Sequence, residues 1–217
     1  MAASSETITF TGQSGLIDCA LDIPEGGMDG AIGWALVLHP HPLFGGTRDN
    51  KVVTTLSRAC VQQGYVTVRP NFRGIGKSEG VFDNGIGEAL DMADLVDQFR
   101  ERYPALAAGR FVLSGFSFGS AVASQVFAAC GPDSPRGLAV SSLMLLGTAA
   151  SRFQVATVPE DTLVIHGEQD DTVPLSSVMD WARPQSLPVT VIPGAGHFFH
   201  GNLTIVKRLV LAHLTRP

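Results

Sequence analysis

The sequence is short of charge. Only 16% of its 217 residues are Asp, Glu, Lys or Arg, against a usual share of about 25%. With 45% apolar residues the chain is not intrinsically disordered, because disorder needs low hydrophobicity and high charge. Basic residues are the scarcer kind, 15 against 20 acidic, for a net charge of −5. Nucleic-acid binders neutralise phosphates with Lys and Arg, so that class is excluded. No basic amphipathic helix offers itself to a membrane surface either. Long hydrophobic runs are also missing: the charge-free stretch 137–151 is broken by Ser, Gly and Thr and falls short of the ~20 apolar residues of a membrane span. Cysteine is rare. Cys19, Cys60 and Cys130 form an odd, widely spaced set without a CxxC pair, and Cys60 and Cys130 read as small buried hydrophobes. Residues 1–10 carry no basic n-region and no apolar h-region, so no secretory leader is expected and the reducing cytoplasm is the expected compartment. No repeat, low-complexity tract or charged linker divides the chain, and one domain over residues 1–217 is expected.

What is present is an alternation of short apolar runs and longer periodic segments. Segments 7–10 and 16–21, joined at Gly12–Gly15, read as an opening antiparallel hairpin. Segment 34–39 is a continuous apolar run, the signature of a strand buried on both faces. Further strands are expected at 65–69, 110–114, 143–146, 163–166 and 189–192. Helical spacing marks 51–63, 88–103, 118–129, 174–182 and 203–214. Such alternation gives an α/β fold with a mostly parallel central sheet and helices on both faces. Ligands then bind beyond the carboxyl ends of the strands.

Two Gly-x-Ser-x-Gly pentads occur, around Ser78 and around Ser117. The bare pattern is weak in a chain with 24 glycines, so context decides. A nucleophile elbow needs a strand running into the serine and a helix leaving it. Ser117 has both; Ser78 lies mid-loop among Gly74, Gly80 and Gly85. Ser78 also sits in a near-miss phosphate loop, but Asn71 stands where the first Gly belongs and no helix opens at Lys77-Ser78. An NTPase is therefore rejected. A serine hydroxyl needs a base and an orienting carboxylate. His197 follows the last strand in a Gly-rich loop, and Asp170 follows the strand before it. Asp171 is the rival acid, with helix capping at Pro174 as its other reading. His166 directly follows apolar strand residues and reads as a hydrogen-bonded structural histidine. The order Ser, Asp, His is that of α/β-hydrolases.

The segments His39-Pro-His41-Pro-Leu43-Phe44-Gly-Gly46, Asn50-Lys-Val-Val53, Asn71 to Gly80, Gly115-Phe-Ser117-Phe-Gly119, His166-Gly-Glu-Gln-Asp170 and His197-Phe-Phe-His200 together resemble the α/β-hydrolase superfamily over nearly the whole chain. More narrowly, they are similar to the small lid-less bacterial hydrolases related to dienelactone hydrolase. The resemblance implies Ser117 as nucleophile, Asp170 as acid and His197 as base, with an oxyanion hole from the backbone N–H groups of Phe118 and Leu43. True dienelactone hydrolases use a cysteine nucleophile, so the serine here departs from their pattern.

His39, His41, His197 and His200 raise the question of a metal site. No carboxylate or cysteine cluster accompanies them, and no metal or organic cofactor is expected. His41, Phe44, Phe72 and Phe198 fall in loops on the active side of the sheet and are the expected pocket residues. Only 147–160 is available for a lid after the strand ending near 146, so an open, shallow site for small esters is expected. The resulting expectation is a serine hydrolase of small carboxylic esters or thioesters, whose partner is a small-molecule substrate and neither nucleic acid nor membrane. A homodimer stays open as its assembly. The alternatives are a peptidase or acyltransferase on the same triad, or a catalytically silent binding module.

Overall fold

The computed structural model describes residues 4–215. Eight strands form one sheet: β1 (Ser4–Gly12), β2 (Gly15–Ile23), β3 (Gly33–Leu38), β4 (Tyr65–Pro70), β5 (Arg110–Phe116), β6 (Ser142–Leu146), β7 (Leu163–Gly167) and β8 (Val189–Ile192). Their order is β1-β2-β4-β3-β5-β6-β7-β8. The first two pair as an antiparallel hairpin and β2 meets β4 antiparallel, while every later pair is parallel. The helices are α1 (Lys51–Gln62), α2 (Ile86–Arg102), α3 (Pro104–Ala107), α4 (Phe118–Cys130), α5 (Leu175–Ala182) and α6 (Leu203–Leu214).

The two apolar faces of the sheet explain the shortage of charge. In β3, Trp34, Leu36 and Leu38 enter one core with Met92, Leu95 and Phe99 of α2 and Val122 and Val126 of α4. The alternate residues Ala35 and Val37 enter a second core with Val52, Val53 and Leu56 of α1 and Val206 and Val210 of α6. A strand covered on both sides has no polar face to present. Among the described residues no helix is long and apolar enough to cross a membrane.

Two elements depart from the sequence reading. Helix α2 starts at Ile86 rather than 88, because the Glu88 carboxylate reaches back to accept the Asp83 and Gly85 amides, each at 2.8 Å. Glu88 thereby caps the helix that the periodicity alone would begin at Glu88 itself. Residues 104–107 form an extra helical turn with Pro104 at its first position, where the missing N–H costs nothing. The three cysteines are free and buried, and burial pushes the Cys60 thiol up to about 12.

Trp34 shows how the core beneath the site is held. Its ring is fully buried and stacked between Phe99 at 4.1 Å and Phe111 at 4.2 Å. Replacing Trp34 by Ala is expected to cost about 3–5 kcal/mol of unfolding free energy, read as a lowered urea midpoint at unchanged slope.

Candidate active site

Ser117 is the single residue between β5 and α4, and it turns the chain from strand to helix at φ 56° and ψ −119°. A non-glycine residue held there is strained, at a typical cost of about 1–3 kcal/mol. Its neighbours make the turn possible. A Cβ at Gly115 would lie 2.1 Å from the Gly119 carbonyl oxygen, and one at Gly119 would lie 2.4 Å from that of Leu38. Both positions therefore exclude any side chain. The Ser117 amide is tied to the Leu146 carbonyl at 2.8 Å, which fixes the turn against β6.

Three side chains distant in the chain converge on this turn. His197 Nε2 lies 2.9 Å from Ser117 Oγ, and His197 Nδ1 lies 2.7 Å from Asp170 Oδ2. The other Asp170 oxygen accepts the Thr172 and Val173 amides at 3.0 and 2.7 Å. Burial alone would raise the Asp170 carboxyl; the His197 hydrogen bond and the Val173 amide outweigh it and hold the group below its ordinary value. Asp171 is exposed and makes only a local contact with Thr172 Oγ1 at 3.3 Å. The geometry thus brings Asp170 to the imidazole and leaves Asp171 outside. His166 is fully buried. Its Nε2 lies 2.9 Å from the Val173 carbonyl and 3.4 Å from Asp170 Oδ2, so it braces the turn that carries the carboxylate.

The second pentad is structural. The buried Ser78 hydroxyl accepts the Asp18 amide at 2.9 Å and donates to the Asn71 carbonyl at 2.8 Å. Asn71 in turn accepts the Arg48 amide at 3.0 Å, and the Arg48 guanidinium pairs with Asp18 at 2.8 Å. This network ties the loop after β3 to β2 and β4.

That loop differs from expectation at Leu43. Residues Pro42–Phe44 form a 3-10 turn, and the Leu43 amide donates to His41 Nδ1 at 3.2 Å. Leu43 is exposed and does not line the cavity beside Ser117. A short polar turn captures the amide that the family resemblance had assigned to the oxyanion. The His41 amide is placed differently. His39 Nε2 accepts the Phe72 amide at 2.9 Å, so the proton sits on Nδ1, which donates to the Pro40 carbonyl at 2.6 Å. In a trans peptide the C=O and N–H point opposite ways. The His41 N–H is therefore directed away from His39, with Pro40 and His41 both on the cavity wall. Neither it nor the Phe118 N–H donates to a backbone acceptor among the described residues.

The cavity beside Ser117 and His197 has a volume of about 300 Å³. His41, Phe44 and Phe198 line it. Phe72 does not: it is buried behind the wall, 4.4 Å from His39 and 5.3 Å from Phe118. Its place is taken by Phe153, which stands edge-on to Phe118 at 4.8 Å. Arg152 also borders the cavity. Neither residue 152 nor 153 stood out in the sequence, where their only signal is a position beyond the carboxyl end of β6. The segment 147–162 carries no helix, so it puts no helical lid over the opening. Among the described residues no group of three or more His, Cys, Asp and Glu side chains gathers as metal ligands would.

Comparison with known proteins agrees with this fold. Residues 23–145 match the family described as X-Pro dipeptidyl-peptidase (S15 family). An uncharacterised protein of Rickettsia prowazekii (strain Madrid E) is 34% identical over 172 residues, 76% of this chain and 71% of that one. An α/β serine hydrolase without lid from Xanthomonas campestris superposes with a TM-score of 0.83 at 32% identity, over 99% of this chain and 95% of the other. An α-β serine hydrolase homologue from Coxiella burnetii gives 0.80 at 33% identity, covering 99% of both chains.

The buried histidines set an acid limit on the fold. Burial lowers His39 to about 4 and also lowers His166. The unfolded chain takes up these protons near pH 6.5, so between 6.5 and 4 it binds more protons than the folded chain. Stability is then lost as pH falls through that window, by up to about 1.4 kcal/mol per pH unit from His39. In chemical denaturation across this range, His39→Asn is expected to give a shallower pH slope, since it keeps a donor for Pro40 but has no titrating ring.

Proposed function

The chain belongs to the α/β serine hydrolases without a lid and matches the family described as X-Pro dipeptidyl-peptidase (S15 family), and from that premise we propose that it hydrolyses small carboxylic esters or thioesters through an acyl-enzyme. The observation that carries this reading is the line from Asp170 through His197 to Ser117, at 2.7 and 2.9 Å, on the wall of an apolar cavity. Ser117 Oγ attacks the carbonyl carbon while His197 Nε2 takes its proton. Asp170 holds Nδ1–H and stabilises the imidazolium. The carbonyl oxygen becomes an oxyanion held by the Phe118 N–H and, in place of Leu43, by the His41 N–H. Collapse of the tetrahedral adduct breaks the bond to the alcohol or thiol, which leaves with the proton from His197. Water, deprotonated by His197, then attacks the acyl-enzyme and releases the acid and free Ser117. The chain's own groups supply every proton transfer in both halves. Three buried free cysteines suit a reducing cytoplasm as the setting.

The size and lining of the cavity favour esters over peptides with a free N-terminus. A volume of about 300 Å³ is at the small end for ligand sites. Recognition of a substrate α-ammonium calls for a carboxylate, and none lines the cavity.

Ser117→Ala is expected to abolish hydrolysis of p-nitrophenyl butyrate and fluorophosphonate labelling, while Ser78→Ala keeps the label on Ser117. Asp170→Asn is expected to lower kcat by about 10⁴-fold, with Asp171→Asn within a few-fold of wild type. Mass spectrometry locating the adduct at another residue, or full rate in Ser117→Ala, would refute the mechanism.

A further inference from the structure

Among the described residues Arg152 is the one Lys or Arg that borders the cavity, and none of them forms an ion pair with it. The arginines at 48, 69, 73, 136 and 183 each pair with an aspartate. Arg152 is exposed and has no ion pair or side-chain hydrogen bond among the described residues. Glu88 and Asp170, two acidic groups near the site, are both committed. Glu88, whose charge reaches His41, is fully buried and accepts the Asp83 and Gly85 amides. Asp170 is bound to His197 and to the Thr172 and Val173 amides. Neither borders the cavity.

The backbone of Arg152 is set in place although its side chain is free. Its amide and that of Phe153 both donate to the Ala149 carbonyl, at 3.2 and 3.1 Å. Ala149 is buried, and the Phe153 ring rests on Phe118, the residue after Ser117. The backbone of Arg152 is thus held at the edge of a cavity otherwise built mainly of aromatic and small residues, with the guanidinium free to reach a bound ligand. An unpaired guanidinium presents a planar fork of donors to a carboxylate. In a protein of net charge −5, a bare cation beside the cavity is a local reversal of the field a substrate meets.

We propose that Arg152 is a specificity residue that selects ester substrates bearing a second, ionised carboxylate, which it binds while the ester carbonyl sits at Ser117. This rests on the ester-hydrolase reading above and names its substrate class. The anionic substrate is held by charge at one end and by the Phe44, Phe118, Phe153 and Phe198 rings along its stem. Because the site is open to water, the contribution is screened by salt.

The test compares matched ester pairs. On the acyl side these are mono-p-nitrophenyl adipate and p-nitrophenyl hexanoate; on the alcohol side, 3-carboxyphenyl butyrate and phenyl butyrate. Wild type is expected to favour the anionic member of at least one pair in kcat/KM. Arg152→Ala should lower that anionic-to-neutral ratio by about 10- to 100-fold, chiefly through KM, and Arg152→Lys should lower it less. The wild-type ratio should also shrink as NaCl is raised to 0.5 M. Arg208→Ala, on the exposed side of α6, removes the same net charge and should leave the ratio unchanged. Preference for the neutral member of both pairs, or equal loss on both members in Arg152→Ala, would overturn the proposal while fluorophosphonate labelling of Ser117 upheld the hydrolase reading. No turnover and no label would overturn the hydrolase reading itself.

Discussion

At Ser117 the chain passes from a buried strand to a buried helix in one residue, at a positive φ that serine avoids when free. The surroundings are arranged to hold that conformation. Gly115 and Gly119 allow backbone to touch backbone, β3 lies close enough for its carbonyls to meet the start of α4, and β6 anchors the Ser117 amide. Move any of these by an ångström and the hydroxyl no longer faces His197. A fully parallel arrangement of β3, β5 and β6 supplies this crowding, because the carboxyl ends of neighbouring strands finish side by side. The strain is local and the sheet that sustains it is large, which is how a small domain tolerates a residue in so unfavourable a region.

Around that point the loops are fixed by polar groups buried in pairs. His39 is neutral and accepts one backbone amide while donating to one carbonyl, so a single ring sets the direction of the Pro40–His41 peptide. Arg48, Asp18, Asn71 and Ser78 tie the remainder of the loop to the hairpin. Arg69 and Asp22 add a second buried pair nearby, with Ser5 and Ser57 also bound to the carboxylate. Breaking such a pair leaves an uncompensated buried charge. The two glycine-serine pentads therefore divide the labour: one presents a hydroxyl to the cavity, and the other uses its hydroxyl to join two loops.

Electrostatics separates the groups by role. Asp170 keeps its charge because His197 and two amides face it, whereas His39 and His166 stay uncharged because burial outweighs their contacts. His41 is held down by burial and then by the charge of Arg152. An imidazole kept neutral there leaves the guanidinium as the positive group beside the cavity, and it places a cation where an anionic ligand would meet it.

Local pattern was enough for much of this. Alternating runs specify the covered parallel sheet, because period and apolarity are properties of neighbouring residues. The strand-Ser117-helix context separates the two pentads for the same reason. His197 and Asp170 were legible as residues just past strand ends, where this architecture gathers its chemistry. Asp170, which the family resemblance implied, and Asp171 are adjacent in sequence, and the turn closed by the Thr172 and Val173 amides aims only the first at the imidazole. Folding also turned the Leu43 amide onto His41, sank Phe72 behind Phe118, and brought Arg152 and Phe153 to the cavity. Ser117 and His197 stand 80 residues apart, and His197 and Asp170 stand 27 apart. Which side chains meet across such separations depends on loop turns and packing, which leave no periodic trace in the chain.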